Sequence, residues 1–201
     1  MKILPQKILK VLAKAILAKY RPEVIGITGS VGKTGAKEAI ACVLAAKFKA
    51  RQSIKNYNNE IGLPLTVIGV EASSRSLLGW LKIFFAAIKL LLKHDPEYPK
   101  ILVLEMAVDR PGDLDYLTDI AGCKIGVITS IGESHLEYFK TLEDIKLEKA
   151  TLIRKLAKDC WAVLNIDDDK VRSVIKETKA KVFTYAVNGE ADVSGKEIRL
   201  K

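Results

Sequence analysis

Thr28-Gly29-Ser30-Val31-Gly32-Lys33-Thr34 packs two glycines, a lysine and two threonine hydroxyls into seven residues. Glycines let a backbone turn sharply and aim its amides at phosphate oxygens. A helix beginning at Lys33 would add partial positive charge at the same place. Gly29, Ser30, Val31, Gly32, Lys33 and Thr34 are therefore expected to cradle a nucleotide triphosphate. Lys33 would reach the β- and γ-phosphates, and the Thr34 hydroxyl would ligate Mg2+. The standard spacing needs glycine where Ile27 stands, so the match is to a shorter variant. The plainer reading is a glycine-rich turn that caps a helix. Glu105 closes an apolar run and is either a surface carboxylate or an Mg2+ ligand facing this loop, since Mg2+ favours hard oxygen donors.

These residues need elements to hold them. Apolar runs at Val24–Thr28, Ile101–Met106, Ile125–Ser130, Trp161–Asn165 and Val182–Ala186 read as strands. Helical patterns fall at 6–19, Lys33–Lys47, Ile61–Val70, Asp113–Ala121, Leu142–Leu156 and Asp168–Lys176. In the first of these, Ile8, Leu9, Val11, Leu12, Ala15 and Ile16 are expected on one side, Lys7, Lys10 and Lys14 on the other, with Pro22 ending it. Strands alternating with helices predict an α/β fold, a mostly parallel sheet flanked by helices, of the P-loop nucleotide-binding type. Ligands on such sheets bind beyond the carboxyl ends of the strands, where these motifs fall.

The chain has 201 residues, 49% hydrophobic and 28% charged, enough for one core. A net charge of +9 suits anionic partners. Nucleic acid is one such class, but no recognition motif accompanies the charge. Cys42, Cys123 and Cys160 form no CxxC pair or disulfide framework, which fits a reducing cytosol. Lysines interrupt the N-terminus, so no signal peptide is expected, and no apolar stretch is long enough to span a bilayer.

Six blocks in order, TGSVGKT, NYNNEIGLPLT, LEMAVDRPGDL, SIGESHLEYF, LEKATLI and VLNIDDD, make the sequence resemble the Mur ligases. NNEIGLPLT, DRPGDL and SHLEYF favour the branch that adds D-Ala-D-Ala to a UDP-MurNAc-peptide. The resemblance implies an ATP- and Mg2+-dependent amide ligase of peptidoglycan precursor synthesis. Such enzymes phosphorylate a carboxylate and let an amine displace the phosphate. It also implies that residues 23–201 are the central ATP-binding domain, incomplete at its C-terminus, behind an amphipathic helix at 1–22. Alone, such a domain is expected to bind Mg-ATP without completing ligation. Descent into a non-catalytic nucleotide-binding module is the alternative.

The same resemblance gives Glu105 an Mg2+, and His135 and Lys149 a second one. Lys149 would serve as a carbamate, formed when carbon dioxide adds to the neutral amine. Lys33, His135 and Lys149 are thus the expected catalytic set. Lys146 is the rival lysine, and His94 has no motif around it. Asn58 and Asn59, with Asn56, either approach phosphates or substrate or serve as turn and cap residues. Asn165 is expected to meet adenine. Asp167 and Asp168 either contact ribose or cap a helix. Asp109, Arg110 and Asp113 either orient substrate or cap the next helix. Finally, 77–93 is an apolar helical insertion, at about 76–94, with Lys82, Lys89 and Lys93 on one stripe. It either packs on its own sheet or on a missing domain, or it meets a membrane interface, giving a cytoplasmic protein with peripheral contact at the inner membrane face.

Overall fold

The computed structural model describes residues 3–54, 57–71, 76–134 and 137–196. Seven strands form one sheet: β1 (Glu23–Thr28), β2 (Ala50–Gln52), β3 (Ile101–Glu105), β4 (Ile125–Ile128), β5 (Trp161–Asn165), β6 (Lys181–Ala186) and β7 (Val193–Ser194). Their spatial order is β2-β3-β1-β4-β5-β6-β7, and every neighbouring pair is parallel. The α/β reading with helices flanking a parallel sheet is what the structure shows. β1 lies between β3 and β4, so strand order reverses around it. The crevice at its carboxyl end is where such sheets bind ligands.

Alternation along the strands decides which helices cover which face. Val24, Leu102 and Leu104 pack with α1 (Ile3–Tyr20), α3 (Gly62–Ile68), α4 (Leu77–Leu92) and α5 (Asp113–Ile120). Ile25, Ile27, Ile101 and Val103 face the other way, towards Ala41 of α2 (Lys33–Ala45). β3 is buried at all five residues, as a central parallel strand should be. α6 (Leu142–Arg154) starts on a capping box, in which Thr141 and Asp144 satisfy each other's backbone amides. It packs with α7 (Asp169–Ser173) and Ile128, Ala162 and Leu164 of the sheet.

Several expected boundaries shift. The buried stripe of α1 is Leu9, Ala13 and Ile16, while Ile8 and Val11 face solvent. Spacing by four and three along one line decides this, and the expected set was too broad to fit it. α1 ends at Tyr20, before Pro22, and Arg21 takes a positive φ of 49°. α3 is shorter than Ile61–Val70, because Gly69 at φ 81° terminates it. The helix expected over Asp168–Lys176 divides into α7 and a 3-10 turn at Ile175–Glu177. β2 and β7 are additions, three and two residues long at the sheet's edges. The helix expected at 77–93 is α4, and Gly79, Ile83 and Ala87 bury it against the domain.

Leu104 is fully buried between β1 and the helices above it. Leu104→Ala should lower stability by about 2–5 kcal/mol. Urea unfolding followed by circular dichroism measures it, with the midpoint falling and the slope unchanged.

Candidate functional site

The loop between β1 and α2 turns on two glycines with positive φ, Gly29 at 152° and Gly32 at 85°. A Cβ on Gly29 would lie 2.0 Å from the Thr129 hydroxyl, so any side chain there would collide with the β4 segment. That segment braces the loop. The Ser30 amide donates to Ser130 O (2.9 Å), the Val31 amide to Ser130 Oγ (2.9 Å), and Thr129 Oγ1 to Val31 O (2.6 Å). Ser30 Oγ donates to Gly132 O (2.7 Å) and accepts from the Gly132 amide (2.9 Å). Ser30 and Val31 thus shape the loop. α2 begins at Gly32 without a side-chain cap, leaving its first-turn amides to the crevice. Lys33 Nζ curls back onto Gly29 O (2.7 Å) and Ser30 O (3.2 Å). Burial lowers its pKa, partly countered by Glu105 and Asp109.

Glu105 gathers the neighbouring segments. It is 4% exposed at the tip of β3. Thr34 Oγ1 donates to its Oε2 and Asn58 Nδ2 to its Oε1, each at 3.0 Å. Lys37 Nζ stands 3.9 Å from Oε2, itself 3% exposed. The backbone amide of Glu105 donates to Ser53 Oγ (3.2 Å). Lys37 was not singled out from sequence. The available signal was a second lysine one helical turn after Lys33 on the same face.

Lys149 is 2% exposed, the bulkiest of the fully buried side chains. Burial, and then the charge of Lys33, push its amine down to about 8. Glu148 and Asp109 act in the opposite direction. Its rival Lys146 is paired with Glu143 at 2.7 Å near the surface. His135 and Asn56 lie outside the described residues.

The remaining candidates do structural work. Asn59 Oδ1 accepts from the amides of Ile61 (3.2 Å) and Gly62 (2.9 Å), starting α3. Asn165 donates to Thr129 O (3.0 Å) and accepts from the Asp167 amide (3.1 Å), so both ends of its amide are engaged. Asp168 caps α7 through Lys170 and Val171 and also holds the Ile131 amide. Asp167 binds the amides of Val187 and Asn188. Asp113 accepts from the amides of Asp109 and Arg110, closing the turn before α5. The Arg110 guanidinium lies 4.8 Å from the Tyr138 ring centre. His94 stacks on Tyr20 at the far end of the sheet, away from the loop. A cleft of about 880 Å3 is lined among others by Gln6, Lys7, Asn59, Asp109, Arg110 and Tyr138 and by no residue of the phosphate loop.

Comparison with known proteins places this geometry. The family model of the Mur ligase middle domain matches residues 86–201. The chain belongs to the Mur ligase family. This Mur ligase middle domain is 36% identical over 192 residues to the UDP-N-acetylmuramoyl-tripeptide–D-alanyl-D-alanine ligase of Bacillus subtilis, covering 94% of the chain and 36% of that protein. The enzyme of the same name from Mycobacterium tuberculosis is 34% identical over 170 residues, covering 85% and 28%. The chain spans about a third of the length of these relatives. Among solved structures, the MurF ligase of Thermotoga maritima in complex with ADP superposes with a TM-score of 0.72 at 30% identity, covering 92% of the chain and 37% of that one. MurF of Acinetobacter baumannii gives 0.77 at 21% identity, covering 97% and 38%, which shows the shared fold.

The residues present fit a magnesium nucleotide. Thr34 and Glu105 place two hard oxygen donors side by side, and Mg2+ fills its other positions with water and phosphate. Among the described residues no group of three or more His, Cys, Asp or Glu could hold a metal by itself. The buried Thr28 hydroxyl, at the mouth of the loop, has no hydrogen-bond partner among the described residues. An orphan donor there suits an incoming polar ligand.

The depressed Lys149 pKa has a consequence for stability. An ordinary lysine titrates near 10.5. Between pH 8 and 10.5 the unfolded chain holds a proton that the folded domain has released, so stability rises with pH across that window. Below pH 8 the folded domain carries the buried charge at full cost. Lys149→Met should therefore be more stable than wild type below pH 8, by on the order of 3 kcal/mol, with the two converging towards pH 10.5. Urea titrations across this range measure it.

Proposed function

We propose that the chain is the ATP-binding centre of a Mur-type amide ligase, acting in the step that joins D-Ala-D-Ala to a UDP-MurNAc-peptide. The observation that carries this is the Glu105 carboxylate, drawn to Thr34, Asn58 and Lys37 beside an uncapped phosphate loop. The names of the full-length relatives support the choice of step.

In this reading the triphosphate meets the α2 amides, and Lys33 exchanges the carbonyls of Gly29 and Ser30 for phosphate oxygens. Mg2+ between Thr34 and Glu105 would supply charge neutralisation on the phosphates. A substrate carboxylate oxygen bonds to the γ-phosphorus as the bond to ADP breaks. The incoming amine nitrogen then attacks the acyl carbon, loses its proton and expels phosphate, leaving an amide. The protein's share is to align these groups and exclude stray water. Lys149 supplies a site for carbamylation, because carbon dioxide adds only to the neutral amine and about a tenth of this one is neutral at pH 7. His135 belongs with Lys149 on family grounds. Asn165, held by Thr129 and Asp167, keeps one N–H and one lone pair for the adenine edge. The unpaired cysteines agree with a reducing cytoplasm.

Calorimetry with a non-hydrolysable ATP analogue should show Mg2+-dependent binding. Lys33→Ala should weaken it about tenfold to a hundredfold, the loss expected for a charge-assisted bond. Glu105→Gln should blunt the Mg2+ dependence. A folded wild-type chain that gives no heat would sink the proposal. In a separate measurement, 13C-bicarbonate should produce a carbamate carbonyl resonance in the wild type, absent in Lys149→Met.

A further inference from the structure

α4 carries a surface that the nucleotide site does not use. Its inner face packs through Gly79, Ile83 and Ala87. Its outer face presents Leu77, Leu78, Leu81, Phe85, Ile88 and Leu92, each between 46% and 80% exposed. Leu78, Leu81, Phe85, Ile88 and Leu92 alternate steps of three and four, so they form one straight stripe. A contiguous exposed apolar patch of this kind marks an interaction surface.

The charges beside the stripe select the partner. Lys82 and Lys89 border it, Lys93 follows, all three are exposed, and α4 contains no acidic residue. At the C-terminal end of α4 a cavity of about 440 Å3 is lined by Arg51, Lys89, Lys93 and His94, with Asp95 as its acidic member. Lys19 Nζ adds a further cation there, donating to the carbonyls of Leu90, Leu91 and Lys93. A second copy of α4 would bring lysines against lysines along the shared seam, and like charges oppose that pairing. An anionic bilayer satisfies both features at once. No described helix is long and apolar enough to cross a membrane, so α4 would lie on one.

We propose that α4 is a peripheral docking helix whose Leu78–Leu81–Phe85–Ile88–Leu92 stripe enters the apolar boundary of a bilayer while Lys82, Lys89 and Lys93 meet anionic lipid headgroups. The basic end of α4 leads through Tyr98 into the start of β3, at the opposite end of the sheet from the phosphate loop. Docking there leaves the nucleotide crevice open. The inference stands on this surface alone and is independent of the ligase reading.

Vesicle flotation of the 201-residue chain tests it. Wild type should float with phosphatidylcholine vesicles containing about 30% phosphatidylglycerol and stay behind with phosphatidylcholine alone. Leu81→Glu with Phe85→Glu should abolish flotation. Lys82→Ser with Lys89→Ser should weaken it at least about tenfold. These positions are exposed, and unchanged thermal unfolding confirms that each variant is folded. Flotation that ignores lipid charge, that survives the double glutamate variant, or that never occurs would overturn the proposal. So would a wild-type dimer in sedimentation velocity that the double glutamate variant dissolves, since the face would then belong to a second copy.

Discussion

A carboxylate taken out of water must be matched by donors and positive charge, or it protonates or unfolds its surroundings. The Glu105 carboxylate meets that demand with groups from two other segments, Thr34 and Lys37 from α2 and Asn58 from the segment before α3, while Ser53 Oγ accepts from the Glu105 backbone amide. The parallel register that sets Ile27 opposite Glu105 brings the tip of β3 level with the phosphate loop. One side chain therefore ties together the sheet, the first helix after the loop and the asparagine segment. Its burial makes their relative positions mutually dependent.

The local charge balance is lopsided in a useful direction. Lys37 and Lys149 are buried and Lys33 is half-buried, while Glu105 is the buried carboxylate among them. After burial, the charge of Lys33 lowers the proton affinity of Lys149. Buried positive charge in excess of buried carboxylate favours an incoming anion. A polyphosphate is the natural candidate, and a carbamate on Lys149 would convert one of the repelling cations into a ligand of opposite sign.

Much of this was legible in the sequence because it rests on local pattern. Runs such as Ile101–Glu105 and the Gly-Ser-Val-Gly-Lys-Thr turn announce themselves through apolar continuity and glycine placement. Lys149 and Glu105 were singled out through the family blocks, and the structure shows that both side chains are buried. What was not legible depends on tertiary partners. Lys37 looks like any surface lysine until α2 is laid on β3. The bond from Asn165 to Thr129 O joins segments that sequence alone does not bring together. β2 is three residues long, half-buried and carries Arg51 and Gln52, so no alternating pattern signals it. The breadth of the apolar side of α1 was misjudged because several registers of a helix rich in Ala, Leu and Ile bury comparable area.

The lacing of Ser30 and Val31 to Thr129, Ser130 and Gly132 has a mechanical implication. Two chain segments about a hundred residues apart are clipped together by both backbone and hydroxyl groups, so neither can shift without dragging the other. Glu133 and Ser134 continue directly from this clip. A displacement of that continuation would be carried through the clip to the turn at Gly29.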